Sequence, residues 1–372
     1  MLSVFSSPGH YVQGRDATAA LGAEMTRLGI GGPVLIVAGA SAYRLLAQTW
    51  RESLTEAKIE YSVHRSGGEC SRAEIARVTA AVLESESTVV LGAGGGKVID
   101  TARAVADDLE LPMISCPTTA SSDAPCSALS VIYTDAGEFE SYQLVRRNPA
   151  LVLVDTSAVA QAPARLLTAG MGDALATWFE ARTCSAARVR NMRGGASTRS
   201  ATALAELCYR TLLADGTHAL AAVRNHTVTP ALERIVEANT LLSGLGFESS
   251  GLAAAHAIHN GLTAAPQTHP YLHGEKVAFG VLTQLVLEGA PTEEISTVLE
   301  FCTSVGLPTT FAALGLADAD NRTLAAIADR ATAPGETIHN EPFIVDTRMA
   351  LDALRAADAL GVSGDKAAPD RA

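Results

Sequence analysis

Short apolar runs alternate with amphipathic stretches through the first 155 residues. PVLIVAG (33–39) is a compact β-like run, and ASAYRLLAQTWRESLTEA (40–57) follows with helical spacing. IEYSVHR (59–65) is again β-like, and SRAEIARVTAAVLES (71–85) is helical. STVVLGAGGG (87–96) is a strand running into glycines, and KVIDTARAVADDL (97–109) is helical. LPMISCPT (111–118) and ALVLVD (150–155) are two further apolar runs. Strands alternating with helices of about 10–15 residues predict βαβ units and a parallel sheet. SALSVIYTDAGEFESYQLV (127–145) breaks the rhythm and predicts a hairpin turning at Asp135, Ala136 and Gly137. After about residue 160, Ala- and Leu-rich segments of helical period dominate. The pattern therefore predicts an α/β part over 1–162 and a helical part over 163–372, divided where Pro163 suits a helix start. The tail GDKAAPDRA (364–372) reads as frayed.

Glycines at 92, 94, 95 and 96 stand between a strand and a helix. Such a loop lets the backbone approach phosphate oxygens closely, beside the N–H groups and positive dipole end of the new helix. Two better-known fingerprints fail. GxxxxGK[ST] would need Gly at Leu91 and Ser or Thr at Val98, and GxGxxG from Gly92 would need Gly at Lys97. A simple strand-to-helix turn would be met by one or two glycines, so the density points to a diphosphate. In dinucleotide-binding folds an acid at an early strand end bonds a ribose hydroxyl and repels a 2′-phosphate. Here that position is Gly39, which also reads as an ordinary turn glycine.

Charge narrows the partners. Lys+Arg total 28 against 40 Asp+Glu, a net −12, which excludes nucleic acid and anionic membrane surfaces as expected partners. Six scattered cysteines without CxxC argue against a zinc ribbon, a redox dithiol or a disulfide scaffold. With an N-terminus that lacks a basic segment before an apolar one, they lead to the expectation of a cytoplasmic protein.

Residues 249–274 carry no Asp, Glu, Lys or Arg, yet hold four histidines and two prolines. That composition is not a membrane span. It reads as buried, or as part of a site. His256 and His259 stand at i, i+3 and point broadly to one side; His269 and His273 follow Pro266. Clustered neutral imidazoles suggest a transition metal. Asp173, in AGMGDALATWFEA, is a candidate further ligand and equally a candidate helix N-cap. The metal reading requires it to lie near the histidines.

GAGGGKVIDTARAVA (92–106), PTTASSDAPCSALSVIYTDAGEFE (117–140), LLTAGMGDALATWFEAR (166–182), GFESSGLAAAHAIHNGL (246–262), HGEKVAFG (273–280) and IHNEPF (338–343) span most of the chain in order. Together they resemble the glycerol dehydrogenases, a zinc-dependent branch of the iron-type alcohol dehydrogenase and dehydroquinate synthase-like superfamily. SSDAPCSALSVIYTD is the most specific of these runs. The resemblance implies an α/β, Rossmann-like dinucleotide-binding domain followed by an all-α metal-binding domain, with the active site in the cleft between them. It implies Zn2+ held by Asp173, His256 and His273, with His259 and His269 as neighbours. Gly96 and Lys97 fall on the pyrophosphate, with Gly39, Gly94, Gly95 and Asp100 also in the cofactor set. Thr118, Ser121, Ser127, Leu129 and Tyr133 line the nicotinamide side, and Asp123 contacts the polyol.

Two departures stand out. Iron-type relatives carry a histidine four residues after the aspartate, where this chain has Thr177. The family pattern has an aspartate where this chain has Gly39, so relaxed cofactor choice is expected, with NADP possible beside NAD. The implied activity is zinc-dependent oxidation of glycerol and related vicinal diols to dihydroxyacetone with NAD, by a homo-oligomer acting on a small polyol. The alternatives are a phosphorylated or secondary-metabolite polyol, with Lys276, Arg146 and Arg147 as the nearest cations, and a lyase or cyclase. A cyclase would have to grip anionic substrate groups, and 117–133 holds no Lys or Arg.

Overall fold

In the computed structural model, which describes residues 1–367, the strands are β1 Tyr11–Gly14, β2 Val34–Ala38, β3 Tyr61–Arg65, β4 Val89–Gly94, β5 Met113–Pro117, β6 Leu129–Tyr133, β7 Phe139–Leu144 and β8 Leu151–Asp155. Helices in the α/β part are α1 Leu21–Arg27, α2 Ala40–Glu56, α3 Arg72–Glu84, α4 Gly96–Asp108 and α5 Thr156–Ala160. Then follow α6 Ala164–Ala187, α7 Arg199–Arg224, α8 Pro230–Glu237, α9 Ser243–Ser250, α10 Ala254–Leu262, α11 His273–Glu288, α12 Thr292–Val305, α13 Asn321–Ala331 and α14 Thr347–Ala367. The tail expected to fray lies partly in α14, and 368–372 fall outside the described residues. No helix among the described residues is long and apolar enough to cross a membrane.

Six strands form a parallel sheet in the order β1-β8-β5-β4-β2-β3. Residues of β2, β4, β5 and β8 are buried throughout, because helices cover both sheet faces. Alternation still sorts the side chains. Val34 and Ile36 pack with Leu21, Met25, Trp50 and Leu54 on one face, whereas Leu35 and Val37 pack with Val78, Val82, Ile99 and Val105 on the other. The expected hairpin is β6–β7, antiparallel, and Gly137 takes φ +83 in its turn. Strand β1 was not legible in the sequence: its four half-buried residues show no alternation, and pairing with β8 defines it.

The chain divides into two compact units, one of 6–167 with 221–244, the other of 1–5, 168–220 and 245–372. The first thus takes in a helical segment that the expected cut at 162–163 assigns to the helical part. Polar ties account for it. Gln13 Nε2 donates to the Glu233 carbonyl and carboxylate, each at 2.8 Å, and Thr156 Oγ1 donates to Glu233 Oε1 at 2.7 Å. The Tyr11 hydroxyl lies 2.8 Å from Thr240 Oγ1.

Within the second unit, helices approach to backbone contact at glycines. A Cβ on Gly280 would lie 2.3 Å from the Ala255 carbonyl, so α11 meets α10 where a side chain cannot fit. At the start of α11 a Cβ on Gly274 would lie 1.8 Å from Ala169 O, and one on Gly172 would lie 2.3 Å from Gly274 O. These two glycines flank the candidate ligands Asp173 and His273.

Candidate functional site

The glycine loop occupies the end of β4 and the start of α4. Its glycines serve different ends. A Cβ on Gly92 would meet Ala102 Cβ at 2.8 Å, so Gly92 permits strand–helix packing. Gly94 has φ +156, which disfavours any side chain. Cβ positions on Gly95 and Gly96 meet no neighbouring atom closer than Thr119 Oγ1 at 3.9 Å and Ser122 Oγ at 3.8 Å. The bare backbone there leaves room for a diphosphate at the head of α4. Lys97 pairs with Glu69, and its ammonium sits 5.6 Å from the Tyr133 ring centroid.

The other residues expected on the cofactor side lie in the same unit. The Thr118 N–H donates to Gly94 O at 3.0 Å, and Ser121 Oγ lies 3.2 Å from Thr119 Oγ1. Along β6, Leu129 and Tyr133 are half-buried while Ser130 and Ile132 point inward. Burial pushes the Tyr133 phenol up in pKa, and the nearby Asp100 charge adds to it. Ser127 Oγ donates to Ala124 O at 3.3 Å.

Asp100 differs from its expected role. It is buried, pairs with Arg103 at 2.5 Å, and accepts the Val131 N–H at 3.2 Å. Arg103 in turn donates to Leu129 O at 2.6 Å and to Ala124 O. Asp100 therefore positions 124–131 and does not present its carboxylate to a ligand. Burial raises its pKa against the lowering charge of Arg103.

Asp123 accepts a hydrogen bond from Ser243 Oγ at 3.0 Å, and Asn239 Nδ2 donates to Ala120 O at 2.9 Å. Asn239 sits in a π-helical segment, Ala238–Leu242, and Ser243 follows it. This support for 120–123 had no sequence signal, since a π segment has the same composition as the helices around it.

The second unit brings Asp173, His256 and His273 together, with one ligand atom from each inside a 4.8 Å span. Asp173 is not an N-cap: α6 begins at Ala164, and Asp173 lies within it, beside the Gly172 position where α11 approaches too closely for a side chain. Its Oδ1 lies 3.1 Å from His273 Nε2 and 3.5 Å from His256 Nε2. Burial pushes the Asp173 carboxyl up, but the charge of His273 and hydrogen bonds from both rings hold it well below the usual carboxylate range.

Neighbouring groups engage the far nitrogen of each ring. His256 Nδ1 lies 2.6 Å from Glu180 Oε2. His273 Nδ1 lies 3.0 Å from His259 Nε2, and His259 Nδ1 lies 3.1 Å from Asn260 Oδ1. With Nδ1 engaged in these links, both rings turn Nε2 toward Asp173. This is the donor set and orientation that a divalent metal requires. Burial opposes charge on His256, yet Glu180 and Asp173 raise its pKa well above the usual value. His259 is driven well below, by burial first and then by the charge of His273. His269 bonds Thr263 O at 3.1 Å and lies outside the cluster of ligand atoms.

Glu180 is a further residue of the candidate site that the sequence pattern did not single out. Its Oε1 also accepts the Ala253 and His256 N–H groups, at 2.8 and 3.0 Å. Glu341 and Gln284 accept the next two, from Ala254 at 3.2 Å and Ala255 at 2.9 Å. The first turn of α10 is thus capped by side chains from elsewhere in the unit. Glu180 follows Asp173 by seven residues, two helical turns on one face of α6, and that spacing was the available signal. Of the cations considered for a substrate phosphate, Arg146 pairs with Asp107 and Glu110, Lys276 is buried and Arg147 is exposed.

Comparison with known proteins matches residues 8–156 to the iron-containing alcohol dehydrogenase family. A glycerol dehydrogenase from Thermotoga maritima is 52% identical over 97% of this chain and 98% of its own. One from Escherichia coli is 51% identical over 96% and 97%. The crystal structure of a probable glycerol dehydrogenase from Sinorhizobium meliloti superposes with a TM-score of 0.91 at 42% identity, covering 97% of this chain and 99% of that one.

Proposed function

The chain belongs to the iron-containing alcohol dehydrogenase family, and from that membership we propose that it oxidises glycerol to dihydroxyacetone, with a divalent metal at Asp173, His256 and His273 and NAD as the hydride acceptor. The observation that carries this reading is the convergence of one carboxylate and two imidazoles whose outer nitrogens are already engaged. Zinc is the proposed ion, because three protein donors leave coordination room for a substrate. When bound, it supplies Lewis acidity toward the substrate hydroxyl. Bound at the glycine loop, NAD would supply the nicotinamide that accepts a hydride.

The chain's own residues divide the remaining work. Glu180 and His259 fix the ligand rings. Gly94, Gly95, Gly96 and Lys97 receive the diphosphate, with Thr118, Ser121, Ser127, Leu129 and Tyr133 toward the nicotinamide. Asp123, steadied by Ser243, accepts a further hydroxyl of the polyol, which favours vicinal diols. We propose further that the enzyme works as a cytoplasmic homo-oligomer. Six buried cysteine thiols support a reducing compartment. The test is incubation of the zinc-loaded chain with glycerol and NAD, following NADH by absorbance and the product by NMR. NADH and dihydroxyacetone are expected to rise together. An absence of both in fully zinc-loaded protein would overturn the reading.

A further inference from the structure

Strands β2 and β3 end side by side, with Ala38 opposite Arg65 in the parallel register. Gly39 follows β2 directly. Its N–H donates to Ala93 O at 2.9 Å, and a Cβ built on it would lie 3.9 Å from Gly94 Cα, so it borders the glycine loop. Nothing about the backbone demands glycine here. Its φ is −66°, and that Cβ would meet Val98 Cγ2 at 3.4 Å, an ordinary contact. A Cβ has room here, yet the residue is glycine and brings no carboxylate to this strand end.

The surroundings are cationic. Arg44, near the start of α2, donates to Ser41 Oγ at 3.1 Å. The guanidinium of Arg65 lies 4.3 Å from the centroid of the Tyr43 ring. Both arginines are exposed, and among the described residues neither has a carboxylate within the 4.0 Å of an ion pair. In dinucleotide-binding sheets a carboxylate at this strand end selects the free ribose of NAD, whereas an arginine nearby accommodates the 2′-phosphate of NADP. Guanidinium groups bind phosphate through charge-assisted, often bidentate hydrogen bonds.

We propose that Ser41, Arg44 and Arg65 form a 2′-phosphate subsite opened by Gly39, and that the chain binds NADP(H) at least as tightly as NAD(H). This rests on the reading of the glycine loop as a dinucleotide site. Binding rather than turnover tests it. NADPH and NADH are titrated into the zinc-loaded full chain without substrate, following nicotinamide fluorescence, and 2′,5′-ADP is then used to displace NADPH. The expected result is a Kd for NADPH no higher than that for NADH, with displacement by 2′,5′-ADP. Arg44→Ala, Arg65→Ala and Gly39→Asp should each raise the NADPH-to-NADH Kd ratio about tenfold or more, the size of one lost charge-assisted hydrogen bond. NADH binding with NADPH at least about tenfold weaker would overturn this proposal and leave the proposed function standing. A ratio unmoved by all three substitutions would also overturn it. Binding of neither dinucleotide would overturn both.

Discussion

Glu180 holds three donors at once, the His256 ring and two backbone N–H groups, so its exchange should be felt at the metal. Glu180→Gln keeps the shape and loses the charge that favours His256. Metal affinity is expected to fall about 10–100-fold, the usual cost of losing a ligand's hydrogen-bonding partner. Competition with a chelating dye measures it, and unchanged affinity would remove Glu180 from the site. Asp123→Asn should leave metal content intact while cutting turnover with glycerol; unchanged turnover would place the polyol elsewhere. At this scale the sequence was most informative where composition was odd. Histidines in a stretch without charge marked the candidate metal site, and the glycine-dense loop marked the proposed diphosphate site. Asp100 misled because an acid just past the glycines looks available, whereas its partner Arg103 is three residues further on and buried with it.

The ligands depend on how closely two helices approach. Gly172 and Gly274 bring α6 and α11 to backbone contact, and His273 opens α11. Gly274→Ala would place a methyl group 1.8 Å from Ala169 O, so the start of α11 must shift. Overpacking of this kind costs about 1–3 kcal/mol. Thermal unfolding should register a fall of several degrees, and metal binding should be lost with it. Retained affinity would mean that the ligands tolerate the shift. Helix contacts such as these leave no periodic trace, which is why Asp173 also read as an N-cap. The parallel strands were legible because burial on both faces makes continuous apolar runs, while β1 was not, since its partner β8 lies 137 residues on. The π segment at Ala238–Leu242 was hidden for the same reason: its hydrogen bonds to 120 and 167, not its own pattern, give it a role.

The proposed metal ligands belong to one compact unit and the proposed diphosphate loop to the other. Chelation should therefore abolish turnover while NADH still binds, and loss of NADH binding on chelation would contradict that independence. Stability should also carry an acidic signature. Burial, reinforced by the nearby Glu288 charge, pushes Glu341 from its ordinary 4.5 up to about 8. The folded chain therefore holds a proton that the unfolded chain releases near 4.5, so this contribution is full below that value and is lost as pH rises through about 8. Tm should decline across that window, and Glu341→Gln should flatten the decline; an equal slope in the variant would contradict it. The central claim is that Asp173, His256 and His273 hold the ion on which glycerol oxidation depends. Zinc titrated into chelated protein, with NADH formation from glycerol followed at each step, tests it most directly. The rate should rise linearly and saturate at one zinc per chain, and fail to rise in His256→Ala. Full activity before any zinc is added, or equal recovery in that variant, would contradict the account.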